Sequence, residues 1–140
     1  MRFRVKSTED AAAATSYFNR FHDGFLESLM VKVVPEDPEG FGFGLPVRYE
    51  ATLSFVHSNY AAARDRGARP QRIEMRLSGI TRLNVGDIVP LDDMLQSCLL
   101  KVGANGAIHL DVGGDGLVTF DCEALTIEEM GDAGVSGRGI

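Results

Sequence analysis

His22-Asp23 is the most chemically suggestive pair in this 140-residue chain. Histidine titrates near neutrality, and a carboxylate beside it can orient the ring for proton transfer. Residues adjacent in sequence seldom face one another, however, and no obvious nucleophile stands near this pair. The same residues suit a tight turn. Asp23 can accept backbone amides ahead of Gly24, and His22 can cap the end of a preceding helix. The expectation is that His22, Asp23 and Gly24 form a structural turn. Partner contact, or a small hydrolase using His22 and Asp23, are the alternatives.

Other chemistry-bearing stretches read as scaffold. Asp111-Val112-Gly113-Gly114-Asp115-Gly116 lacks the spacing and closing glutamate of a calcium loop, so it is expected to be a hairpin turn. Gly40-Phe41-Gly42-Phe43-Gly44 resembles a phosphate loop only superficially, because no helix pattern follows to supply amides and a dipole. No G-x-S-x-G elbow, H-E-x-x-H or P-loop occurs, and Ser136 lacks the required flanking glycine. Cys98 and Cys122 are too far apart for a C-x-x-C motif and are expected as two reduced thiols. His22, His57 and His109 are scattered, so no metal site and no cofactor are expected. Arg64, Arg66, Arg69, Arg72, Arg76 and Arg82 form a basic run, but aromatic residues are not interleaved with it and the pI is about 5.0. Nucleic-acid binding is therefore not expected.

Charge is informative by position. Residues 1–70 hold nine basic and nine acidic side chains, whereas residues 71–140 hold five and eleven, so the net −6 lies in the second half. From Asp87 to Asp132 ten acids stand against Lys101 alone. Within that span Asp111, Thr119, Asp121 and Glu123 share the outward parity of the closing strands. Asp111, Asp121 and Glu123 are the candidate partner-binding residues, forming an acidic face suited to a basic protein; solubility is the simpler alternative.

The elements that position these residues follow from hydropathy period. Met1–Lys6 alternates as a short strand. Ser7 caps a helix expected over about residues 8–20, with Glu9 and Asp10 in its first turn and Ala14, Phe18 and Phe21 on one face. Residues 25–33 read as a strand buried on most of both sides. Pro35–Gly44 is a loop. Tyr49, Ala51, Leu53 and Phe55 alternate with polar residues, as do Ile73, Met75 and Leu77, so both segments are strands with one face in the core. Tyr60–Arg64 fits a helical turn, Gly79 a turn or bulge, and Ile80–Val85 a continuation of the sheet. Pro90–Leu95 suggests a short helix or turn. Asn105-Gly106 predicts a hairpin joining Cys98–Val102 to Ile108–Val112. Strands at Val118–Cys122 and around Leu125 and Ile127 follow. Seven or eight strands and one helix imply a mainly β (α+β) chain: an antiparallel β-sandwich or curled sheet with one N-terminal helix. Residues 1–130 form a single β-rich domain, and 131–140 a flexible tail. No apolar run approaches the roughly 20 residues that span a bilayer. The basic start lacks a following apolar region, so a soluble cytoplasmic protein is expected.

Three stretches carry a resemblance. Phe18-Asn19-Arg20-Phe21-His22-Asp23-Gly24-Phe25-Leu26 resembles the "FHD plus apolar strand" opening of a family of small, mostly β predicted immunity proteins of bacterial polymorphic-toxin systems. Ile73-Glu74-Met75-Arg76-Leu77-Ser78-Gly79-Ile80 is similar to that family's middle strand and glycine corner. Val118–Ile127, with Phe120-Asp121-Cys122, is similar to its closing "F-x-C" hairpin. The chain departs from the pattern in having no tryptophan near the FHD segment and a long loop after His57. The resemblance implies a non-enzymatic inhibitor that binds one toxin, a basic one given the acidic second half. The other readings are a phage or housekeeping accessory or assembly protein, and the small hydrolase.

Overall fold

The computed structural model describes residues 1–37, 39–40, 42–86, 95, 97–113 and 117–134. Nine strands and two helices follow in the order β1 (Arg2–Val5), α1 (Thr8–Tyr17), β2 (Phe25–Pro35), β3 (Val47–His57), α2 (Ala61–Asp65), β4 (Gln71–Ser78), β5 (Arg82–Val85), β6 (Cys98–Val102), β7 (Ile108–Val112), β8 (Val118–Cys122) and β9 (Ala124–Asp132). The chain is mainly β, as its alternation predicts. The strands form two antiparallel sheets, ordered β1-β9-β4-β3-β2 and β5-β8-β7-β6.

One hydrophobic cluster spans both sheets and α1. It takes Leu53 and Phe55 from β3, Ile73, Met75 and Leu77 from β4, Leu110 and Phe120 from the smaller sheet, and Ala11, Ala14 and Phe18 from the helical segment. The chain changes sheet at two corners that are bonded to each other. The Glu123 N–H, between β8 and β9, donates to the Ser78 and Gly79 carbonyls, each at 3.1 Å. Gly79 has φ +62°, and a Cβ there would lie 2.8 Å from the Glu123 carboxyl, so both backbone conformation and space call for glycine.

Several expectations change in detail. The helix stops at Tyr17 rather than near residue 20. Ser7 does cap it, its Oγ accepting the Asp10 N–H at 3.1 Å. Beyond Phe18 the chain enters a left-handed turn, Asn19–Phe21, with φ of 51°, 54° and 59°. β2 is not a doubly buried strand. It borders only β3, at the rim of the larger sheet, and Met30, Val31 and Val33 are 64%, 43% and 43% exposed. Tyr49, register partner of Val33, is also exposed, whereas Ala51, Leu53 and Phe55 are buried as the alternation predicts. Residues 82–85 do not continue the first sheet. They form the edge of the second, paired with β8. β9 runs to Asp132, and Ala133 is buried with its N–H donating to the Pro70 carbonyl at 2.9 Å, so ordered structure passes residue 130. The element expected at 90–94, the glycine turn at 114–116 and the tail from 135 lie outside the described residues.

Cys98 and Cys122 are free and buried. Burial pushes the two thiols up to about 12 and about 11. They stand on β6 and β8 with β7 between them, roughly two strand spacings apart, which is beyond disulfide reach. No helix among the described residues is long and apolar enough to cross a membrane.

Candidate functional site

The turn at His22-Asp23-Gly24 is held from several sides. The Asp23 N–H donates to the Leu95 carbonyl at 2.9 Å, and the Gly24 N–H to the Phe21 carbonyl at 2.9 Å. The Asp23 carboxylate takes its hydrogen bond from the side-chain amide of Asn59 (3.3 Å), which also reaches the His22 carbonyl (3.1 Å). Arg64 donates to Asn59 Oδ1 at 3.1 Å, so the loop after β3 braces the turn. His22 Nε2 lies 3.6 Å from Asp23 Oδ2, both side chains half exposed. The two therefore approach each other despite adjacency, because Asp23 sits at φ 66°. Behind the turn, Phe21 stacks on Phe18 and His57 and meets Phe55 at a tilt, and His57 stacks on Tyr60. His57 Nε2 lies 2.8 Å from the Phe18 carbonyl, which makes it the protonated nitrogen. Among the described residues Nδ1 is left as a buried acceptor without a partner. Burial lowers the His57 pKa.

Glu129 is the residue that sequence reasoning missed. Its carboxylate, 4% exposed, accepts two hydrogen bonds from Arg66 (2.6 and 3.3 Å) and one each from Tyr60 (2.5 Å) and Tyr17 (3.2 Å). Burial raises its pKa, but the Arg66 and Tyr60 hydrogen bonds and the Arg66 charge outweigh that and hold it at about 2. The signal was present: Glu129 continues the parity of Leu125 and Ile127, and a glutamate on a core-facing parity must be paired. The group ties β9 to α1 and α2 and is a structural clamp.

The expected acidic face also carries basic residues. β7 and β8 are adjacent, so Asp111 and Asp121 do share one face. The register places His109 opposite Asp121 and opposite Lys101, and Arg82 opposite Asp121 on the other side. His109 Nδ1 lies 2.6 Å from Asp121 Oδ1. Folding thus places basic and acidic residues together on this face. Glu123 lies at the sheet crossing, its side chain over Gly79. His22, His57 and His109 lie on three different elements, and no group of three metal-ligating side chains stands together among the described residues.

A groove of about 740 Å³ runs between α1 and β6. Its helical wall carries Ala12, Thr15 and Ser16, its strand wall Leu100 and Val102, and its charges among the described residues are Arg20 and Lys101. β6 is an edge strand. Gly103 N–H donates to the Ala107 carbonyl (2.8 Å) at one end of the β6–β7 ladder, and Gly113 N–H to the Ser97 carbonyl (2.9 Å) at the other. Antiparallel ladders alternate bonded and non-bonded pairs. Both ends therefore set the same phase: Leu99 and Lys101 bond β7, while the N–H and C=O of Leu100 and Val102 point away from it. Among the described residues those four groups have no partner.

No protein-family model, curated protein or solved structure matches the chain. The functional reading accordingly rests on the geometry of the groove and turn. The hairpin forming β6 was visible in Asn105-Gly106, but its place at a sheet edge beside α1 depends on long-range pairing that local sequence does not encode.

Proposed function

We propose that this chain is a non-enzymatic protein-binding module that captures an extended segment of its partner by strand addition at β6. The observation that carries this is the unpaired backbone of Leu100 and Val102 beside the α1 groove. Unsatisfied edge groups template an added strand, and a flanking helix confines where it lies. The groove volume falls within the range of roughly 300–1,000 Å³ typical of ligand sites. Its side chains offer hydrogen bonds, charge and apolar contact, the chemistry of recognition. Within the binding class, the resemblance at residues 18–127 supports an immunity-type inhibitor. The mixed charge of the Asp111–Asp121 face gives no support to a basic toxin as the partner. The test is selection of a displayed random heptapeptide library on the protein, with amide chemical shifts of the selected peptides' complexes. Enriched peptides that shift Leu100 and Val102 support the reading. Enrichment that maps elsewhere, or no enrichment, contradicts it.

A further inference from the structure

We infer that the segment taken by the β6 groove is acidic, an inference that rests on the strand-addition reading. Arg20 and Lys101 both line the groove, and no hydrogen bond or ion pair holds either one among the described residues. Among the described residues no aspartate or glutamate lines the groove, although the chain carries a net charge of −6. Two uncompensated cations in an acidic protein, beside open backbone donors and acceptors, form a site whose missing counter-charge is negative.

The backbone makes this a fixed feature. Arg20 occupies the middle of the left-handed turn at φ 54°, between residues of which Phe21 is buried among Phe18, Phe55 and His57. Left-handed backbone is costly for a residue with a Cβ, and such strain persists where the surroundings enforce it. The buried ring thereby anchors the base from which Arg20 projects.

The register gives the ligand a pattern. Directly opposed residues of paired antiparallel strands point to the same face. A ligand residue opposite Lys101 therefore shares its outward face, and there an aspartate or glutamate meets the ammonium group. Its neighbours, opposite Leu100 and Val102, turn inward as those two do. The ligand is thus an extended segment with an acid opposite Lys101 and apolar residues on either side of it.

The experiment uses two acetylated, amidated and fluorescently labelled pentapeptides, Val-Asp-Val-Glu-Val and Val-Lys-Val-Lys-Val. Each is titrated by anisotropy against the full chain and the R20Q/K101Q variant, at low and at physiological salt. Neither side chain makes a bond among the described residues, so the variant is expected to keep its structure, checked by its melting curve. The acidic peptide is expected to bind about tenfold tighter than the lysine peptide, with the advantage lost in the variant and shrinking as salt rises. Equal affinity for both peptides, with Leu100 and Val102 amides shifted by each, would overturn the acidic preference and leave strand addition standing. Binding of neither peptide to the β6 amides would overturn both. Equal competition by a single-stranded oligonucleotide would assign the cations to a polyanion instead of a peptide.

Discussion

Replacing Glu129 by glutamine removes the charge around which α1, α2 and β9 are joined. The native carboxyl titrates at about 2 against an ordinary 4.5. That difference corresponds to about 3 kcal/mol of stability at neutral pH. Solvent around Arg66, whose side chain is 46% exposed, screens the pair, so about 2 kcal/mol is expected. Because the folded value is depressed, the contribution is complete above the unfolded pKa and is lost as pH falls from about 4.5 towards 2. Glutamine keeps the shape and still accepts from Tyr60 or Tyr17, which isolates the charge. Urea unfolding at pH 7 should show Glu129→Gln less stable by about 2 kcal/mol, with the gap closing by pH 2.5. A variant as stable as the parent at pH 7, or a gap that persists unchanged in acid, would refute the clamp.

Gly24→Ala puts a Cβ 3.1 Å from His57 Nδ1 and 3.2 Å from the Phe21 carbonyl, so a loss of about 1–3 kcal/mol is expected in thermal melts. His57 has a lowered folded pKa, so the unfolded chain binds the proton more readily. Stability should therefore decline as pH drops below about 6.5, and the decline should be missing in His57→Phe when melts are compared between pH 7 and 5. Asp23→Ala loses the Asn59 bond and places alanine at φ 66°, for about 1–2 kcal/mol, whereas Asp23→Gly should recover part of that by relieving the backbone.

Much of the architecture was legible because alternation and turn chemistry act locally. Ala51–Phe55 and Ile73–Leu77 announced their buried faces, Ser7 its cap, and Asn105-Gly106 its hairpin, where Gly106 takes φ 84°. What depends on position within the sheets was not legible. The apolar residues of β2 suggested a central strand, yet pairing leaves it at a rim. The acids at 111 and 121 looked like a purely acidic patch because the basic residues that share their face, Arg82 and Lys101, come from strands remote in sequence. At His22-Asp23-Gly24 the Asp23 carboxylate is bonded by the side chain of Asn59 rather than by the backbone amide that sequence suggested. The groove needed both the edge position of β6 and the phase of its ladder, neither of which a local pattern reveals.

Amide hydrogen exchange along β6, with and without saturating acidic pentapeptide, addresses strand addition most directly. In the free protein Leu99 and Lys101, bonded to β7, should exchange slowly, while Leu100 and Val102 exchange fast. With the peptide bound, Leu100 and Val102 should become protected while Leu99 and Lys101 change little. Protection of Leu100 and Val102 already in the free protein, or their continued fast exchange at saturation, would contradict the account.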